Sequence, residues 1–374
     1  MKILVLCYEY PPVGGGGGRV AAATAEGLAA KGHDVRVVSA GLRHLPQDTT
    51  INGVRILRPE SYRRREDTCS VPEMALYLAT SFLPAWKLCR TWQPDIIHAH
   101  FVVPTGALAL ALHLLTRIPY VLTAHLGDVP GGVPEQTDKL FKYLGPLIQP
   151  IWRHAAATTA VSGFVAGLAK KNCGINPDII LNGVPMIPPP ALLESNSPLR
   201  IVMLGRLSIQ KNPLLALQAL NLIKDLPWTL DVLGEGPLGD SMRQLAADCG
   251  MAERVFFRGW LDATEVTRRL SSADILLMTS TTEGLPMAGI EALRHGLAIV
   301  GSRIGGLVDV ISDQLNGLFC DLTPESFALA LQELIKDPQR LLDMRRASLL
   351  KAKDFSLPDR VNDYELLLER VLKG

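Results

Sequence analysis

KILVLCYEYPPVGGGGGRVAAATAEGLAAKGHDVRVVS, residues 2–39, opens on an apolar run from Lys2 to Cys7 that lacks the alternation of a strand with one wet face. An unalternating run of that length belongs to a parallel strand buried on both sides. Pro11 and Pro12 lead into five glycines, Gly14 to Gly18, then an alanine-rich helix through Leu28 ending at Gly32, and a second strand over Asp34 to Ser39. Strand, glycine loop, helix, strand is how a nucleotide-binding doubly wound unit begins. The glycine spacing is not the G-x-G-x-x-G of dinucleotide binders, which disfavours a dehydrogenase.

Working outward, strands are expected at Val54 to Leu57, Asp95 to His98, Tyr120 to Thr123, Ala157 to Ala160 and Asp178 to Leu181, with helical segments between them. From 183 to 198 the chain becomes proline-rich (Pro185, Pro188, Pro189, Pro190, Pro198), a composition that reads as a semi-rigid spacer between domains. The pattern then restarts: Arg200 to Leu204 as a buried strand, Asn212 to Leu222 as a helix, and further strands at Thr229 to Leu233, Val255 to Arg258, Ile275 to Thr279, Leu297 to Gly301 and Leu318 to Phe319. A chain of 374 residues is longer than one core usually supports. The reading is therefore an α/β protein of two doubly wound, Rossmann-like domains, 1–190 and 191–355. A C-terminal helix at 356–374 could pack back on the first domain. In such folds ligands sit at the carboxyl ends of strands, so a site in a cleft between the two domains is expected.

Composition narrows the classes. A net charge of +1 argues against a dedicated nucleic-acid binder. Residues 1–190 hold 18 Lys+Arg against 13 Asp+Glu, a balance of +5, which leaves 20 against 24, or −4, for the remainder. A basic first half hints at an anionic partner there. The charge run Tyr62 to Asp67, followed by the amphipathic stretch Pro72 to Arg90 with Met74, Leu76, Phe82, Leu83, Trp86 and Leu88, could lie on an anionic bilayer, or could be a core-facing helix preceded by a solvated charge run. Six scattered cysteines without a Cys-x-x-Cys pair fit a reducing cytoplasm, and no segment is long and apolar enough to span a membrane. A cytoplasmic protein, in part at the inner face of the membrane, is expected.

Four stretches carry chemistry. EGLPMAGIE, Glu283 to Glu291, sets two glutamates about a helix start, with Pro286 in its first turn and Gly296 past its end. A helix N-terminus favours anions, and carboxylates beside it can accept from sugar hydroxyls. Gly205-Arg206 and Lys211, in the turn between a strand and a helix begun by Asn212 or Pro213, can both point at one diphosphate. Gly301 to Asp309, with Gly305-Gly306, repeats strand, glycine turn and helix start; Asp309 could do no more than cap the first turn. In the first half, Thr123-Ala-His125-Leu-Gly-Asp128 follows a strand at the edge that holds the glycine loop, where a histidine can donate to a sugar hydroxyl or phosphate. His98 and His100 have no clear metal set around them and read as structural.

Together, the glycine loop after Tyr10-Pro11-Pro12, the Thr123-Ala-His125 turn, Gly205-Arg206 with Lys211, the Glu283 to Glu291 pair and the Gly305-Gly306 turn resemble family 4 retaining glycosyltransferases of the GT-B fold, in order over nearly the whole chain. The resemblance implies two Rossmann-like domains facing each other across a cleft, the second holding a nucleoside diphosphate sugar and the first a saccharide or lipid-linked acceptor. It implies that Arg206 and Lys211 hold the diphosphate, Glu291 accepts from the ribose hydroxyls and Glu283 touches the donor sugar. Gly205 and Gly284, Leu285, Pro286 and Met287 complete the donor site. His125 matches an active-site histidine near the sugar, and Gly15 or Gly16 brings backbone amides toward the phosphate. Asp309 stands where many relatives carry Glu, and the five-glycine run is richer than the usual pair.

The chain has no Asp-x-Asp, the metal-holding pair of the other large glycosyltransferase fold, so a metal-independent site without a cofactor beyond the donor is expected. Glu283 and Glu291 lie on one element and do not flank a bond as glycosidase carboxylates do. The leading expectation is hexose transfer with retention; the alternatives are a sugar-nucleotide epimerase on the same plan and a non-catalytic nucleotide-binding subunit.

Overall fold

A computed structural model describes the chain apart from residues 67–68, 135–140, 142–144, 146–147 and 191–192; Asp67 of the charge run thus lies outside the described residues. The chain divides into two compact units, one of Met1–Gly183 with Leu357–Gly374, the other of Val184–Ser356.

The first unit is built on eight strands: β1 (Lys2–Leu6), β2 (Asp34–Val38), β3 (Asp48–Ile51), β4 (Val54–Leu57), β5 (Ile96–His100), β6 (Tyr120–Ala124), β7 (Ala157–Ala160) and β8 (Asp178–Ile179). They lie in the order β3-β4-β2-β1-β5-β6-β7-β8. All pairs are parallel except β3 with β4. Ile3, Leu4, Val5 and Leu6 are all buried, as an inner strand covered on both faces requires. β3 was not expected: its Asp-Thr-Thr-Ile is largely exposed, and it reaches β4 through Asn52-Gly53, both at positive φ (48° and 82°), the backbone of a two-residue hairpin turn.

The C-terminal helix Leu357–Lys373 is part of this unit. Its Val361, Tyr364, Leu367 and Leu368 join Leu28, Val35 and Val37 in one apolar cluster. Each large apolar side chain buried this way contributes on the order of 1.5–3 kcal/mol before the cost of ordering it. Gly27 on helix Gly16–Ala30 makes the approach close enough, since a Cβ there would stand 2.4 Å from Val361 Cγ2. His33 Nε2 meets Glu365 Oε1 at 2.7 Å at the edge of the contact.

Helix Val71–Thr91 begins at Ser70, whose backbone N–H donates to Glu73 Oε2 at 2.7 Å. Its inner face is Tyr77, Ser81, Ala85, Leu88 and Cys89. Of the six apolar residues that marked the stretch in the sequence, only Leu88 is on that face; Leu76, Leu83 and Trp86 are exposed. The neighbouring basic run also divides. Arg64 and Arg65 are exposed, but Arg63 is buried and donates to the carbonyls of Tyr8, Arg65 and Glu66 at 3.3, 2.9 and 3.1 Å. It staples the segment beneath the glycine loop and cannot belong to a solvated cluster.

The second unit has six parallel strands, β9 (Leu199–Leu204), β10 (Trp228–Leu233), β11 (Val255–Gly259), β12 (Ile275–Met278), β13 (Ala298–Ser302) and β14 (Gly317–Cys320), in the order β11-β10-β9-β12-β13-β14. The order reverses direction at β9, where loops after β9 and β12 meet. The proline-rich stretch starts inside this unit and is bonded to it. Val184 N–H donates to Phe355 O at 2.9 Å, Arg294 to Pro185 O at 2.7 Å and Arg345 to Glu194 O at 2.6 Å. Described residues of that stretch are therefore tethered, not a free spacer.

Candidate active site

In the second unit the loop after β9 and the loop after β12 are stitched together. Gly205 leaves β9 at φ 139°, a backbone open to glycine, and the chain turns through Ile209–Lys211 into helix Pro213–Leu222. From the other side Thr279 Oγ1 donates to Lys211 O and Asn212 O at 3.1 and 2.9 Å, Thr281 N–H to Gln210 O at 2.8 Å, and Gln210 Nε2 to Thr282 O at 3.0 Å. These bonds seat Lys211 opposite Glu283. Lys211 Nζ stands 2.5 Å from Glu283 Oε1, which also accepts from Ser280 Oγ at 2.6 Å. Glu283 is only 5% exposed, and these partners offset the cost of burying it.

Helix Met287–Arg294 follows at once, with Pro286 as its N-cap residue, one position earlier than the first-turn placement read from the sequence. Gly296 at φ 68° follows its end. Glu291 lies just over one turn inside and forms an ion pair with Arg294, Nε to Oε2 2.6 Å. Gly284, Leu285 and Pro286 are buried, and Met287, Glu291 and Arg206 are partly exposed. The Gly305-Gly306 turn serves packing: Gly306 N–H donates to Glu283 O at 2.8 Å, and a Cβ on Gly306 would stand 1.7 Å from Gly284 O. The helix it begins, Leu307–Val310, is a single turn. Arg206, Lys211, Glu283 and helix 287–294 thus share the carboxyl edge of one sheet, the edge where anions and sugars are bound in such folds. Ser280 was missed in the sequence; its hydroxyl matters only because the turn aims it at Glu283.

In the first unit helix Gly16–Ala30 starts in the glycine loop. Gly15 N–H donates to Glu9 Oε2 at 3.1 Å, so that amide is engaged by the chain's own carboxylate. Gly14, at φ 95°, and Gly18 are needed for the close turn, since a Cβ on either would meet Glu9 at 2.4 and 2.5 Å. His125 lies just past β6. Asp128 accepts from the backbone N–H groups of His125, Leu126 and Val102, at 2.9, 2.9 and 2.8 Å, and so ties the end of β6 to the end of β5. Burial pushes the Asp128 carboxyl up and those amides pull it back.

Phe101 stacks on the His125 ring at a centroid distance of 4.3 Å and sits at φ 73°, ψ 127°. For a bulky residue that backbone is strained by about 1–3 kcal/mol and holds only where the surroundings over-determine it. No sequence signal marks it. Gly17 closes the group, because a Cβ there would stand 2.5 Å from Phe101 Cζ and 3.2 Å from His125 Nδ1. Burial pushes His125 down to about 3, so the ring is neutral near pH 7. His98 lies within β5 and His100 ends it, both fully buried beside His125.

Residues 14–186 match the family described as Glycosyltransferase Family 4, and residues 189–350 match that described as Glycosyl transferases group 1. Glycogen synthase of Mycobacterium tuberculosis is 29% identical over 378 residues, covering 93% of this chain and 89% of that protein. Among solved structures, sucrose-phosphate synthase from Thermosynechococcus elongatus has a TM-score of 0.86 at 18% identity, over 100% of this chain and 99% of the other. The Anabaena protein HepE, in complex with UDP and glucose, has a TM-score of 0.76 at 18% identity, over 99% and 100%.

Proposed function

Because the chain belongs to family 4 of the glycosyltransferases, with the two Rossmann-like sheets of the GT-B fold, we propose that it moves a hexose from a nucleoside diphosphate sugar to a saccharide or lipid-linked acceptor with retention of anomeric configuration. The observation that carries the reading is the Lys211–Glu283–Ser280 cluster at the start of helix 287–294. Arg206 and Lys211 neutralise the diphosphate, which gains charge as the glycosyl bond breaks, and this replaces a divalent ion. Glu283 fixes Lys211 and meets the donor sugar; Glu291 accepts from the ribose. Since HepE binds UDP and glucose, a uridine diphosphate hexose is the first donor to test.

The expected result is free nucleoside diphosphate released only when an acceptor is present, with the new linkage in the donor's anomeric configuration by NMR. Altered sugar nucleotide formed without acceptor would instead identify an epimerase. No turnover across a panel of uridine, guanosine and adenosine diphosphate sugars and acceptors would end the transferase reading.

The acceptor side includes a membrane contact. Pro72, Leu76, Ala79, Leu83 and Trp86 recur at 4,3,4,3 spacing along the outer face of helix Val71–Thr91, all exposed, with Leu83 at 63%. Lys87, Arg90, Arg64 and Arg65 are exposed on the same helix and the strand of chain before it. Apolar residues edged by cations fit an anionic bilayer surface. Among the described residues no helix is long and apolar enough to cross a membrane, and the contact we propose is a peripheral one. All six cysteines are free, in keeping with the cytoplasmic side. The protein is expected to sediment with phosphatidylglycerol vesicles at low salt, to be released by salt, and to lose the contact in Leu83→Glu/Trp86→Glu. Binding that the double variant leaves intact would remove helix 71–91 from the contact.

A further inference from the structure

Three histidines meet in the first unit, His98 and His100 on β5 and His125 after β6. His98 Nε2 is bonded to Thr123 Oγ1 at 2.8 Å, and the His98 ring packs against Tyr364 with centroids 5.0 Å apart and planes tilted by 42°. His100 Nδ1 lies 3.2 Å from His125 Nε2, the two rings 5.5 Å apart and tilted by 34°. His100 Nε2 is buried and has no hydrogen-bond partner among the described residues. The other nitrogen of His125, Nδ1, is on the side of Gly17 in the glycine loop.

We propose that His100 is a positioning residue that fixes His125 as its Nδ1–H tautomer, so that His125 offers a hydrogen-bond donor on the edge facing the glycine loop. The two rings share one hydrogen bond, and a neutral pair has two ways to make it. If His125 donates from Nε2, His100 must carry its own proton on Nε2, a buried N–H with nothing to accept it. If His100 donates from Nδ1, the unpartnered atom is a bare ring nitrogen. An orphaned buried donor is the costlier of the two, so the second pattern wins. A charged pair is ruled out near pH 7, because burial lowers both groups far below the usual histidine range.

The consequence reaches the ligand. An Nδ1–H edge calls for an acceptor oxygen, of a sugar hydroxyl or a phosphoryl group, and on that edge His125 cannot act as a base. This role rests on the glycosyl-transfer reading; the tautomer does not. The stacked Phe101 and the backbone bonds from Asp128 set the ring plane, leaving the proton's position to His100.

The test uses the full chain labelled with 15N-histidine, with His125 identified by the signal lost in His125→Gln. Long-range 1H–15N spectra of the unaltered protein are expected to show His125 protonated on Nδ1. His100→Asp puts an acceptor where the Nδ1–H donor stood; it should draw a proton onto His125 Nε2 and lower kcat about tenfold. His100→Asn, whose amide N–H can stand near the place of Nδ1–H, should restore both. A wild-type spectrum with His125 protonated on Nε2 overturns the proposal without any variant being needed, and so does a folded His100→Asp protein in which His125 Nε2 stays unprotonated and kcat is unchanged. If no sugar nucleotide is turned over at all, the transferase reading fails while the spectra still decide the tautomer.

Discussion

Replacing Lys211 by alanine is expected to lower kcat by about 10²–10³-fold, or about 3–4 kcal/mol of transition-state stabilisation, with a smaller change in KM for the donor. The split follows from what the cation faces. On the proposed reading the ground-state diphosphate is already charged, so Lys211 would help bind it; as the glycosyl bond lengthened, further negative charge would collect on the leaving oxygen, and the ammonium would gain most at that point. The Glu283 contact at 2.5 Å holds the ammonium in place beforehand, so little reorganisation is left for the reaction. Removing Lys211 also leaves the Glu283 carboxylate with Ser280 alone among the partners described here, and some loss of stability should accompany the loss of rate. Lys211→Arg separates the two effects: it keeps the charge and the pair but not the compact point-charge geometry, and should recover stability more fully than kcat. Steady-state rates and denaturant melts on the three proteins make the comparison. A kcat for Lys211→Ala within about threefold of the parent would remove the cation from the chemistry.

Much of this site could be read in the chain, and the reasons are local. Parallel strands buried on both faces leave unbroken apolar runs, so β1, β9 and β12 stand out, and the loop that follows a strand's carboxyl end is where its charged residues matter. Arg206, Lys211 and Glu283 stand out as candidates on that ground. Their pairing is not legible, because Lys211 and Glu283 are 72 positions apart and meet through the bonds that Thr279, Thr281 and Thr282 make to residues 210–212. Arg63 misled for the opposite reason: three arginines in a row look like a solvated cluster, and only the fold shows that the first is buried against three carbonyls. The edge strand β3 was missed because its residues are polar, although Asn52-Gly53 carries a hairpin signal. Phe101 had no signal at all, since backbone strain at a β5 end is imposed by its neighbours.

The second large effect concerns stability and lies away from the chemistry. Arg345→Ala is expected to cost about 3–5 kcal/mol, the range for breaking a buried ion pair by removing one partner. Asp274 is 0% exposed and Arg345 4%, and the two meet at 2.7 Å. Asp274 also accepts from Asn196 Nδ2 at 3.0 and 3.1 Å and from Arg200 N–H at 2.9 Å, while Arg345 donates to Gly296 O and Glu194 O at 2.8 and 2.6 Å. Burial pulls the Arg345 guanidinium down from its usual value and Asp274 pulls it back up, which is the signature of a charge that its partner keeps tolerable. Alanine removes that partner and leaves the buried carboxylate with neutral donors and no counter-charge. It also frees the chain at Glu194 and Gly296, so the stretch between 184 and 198 should become open to proteolysis as the melt shifts. Asp274→Asn with Arg345→Met removes both charges and should cost less than the sum of the single changes, because neither partner is then left buried and charged. Denaturant titration measures each term. A loss below about 1 kcal/mol for Arg345→Ala would mean that water reaches Asp274 in the variant and that the pair is not what holds the start of the second unit in place.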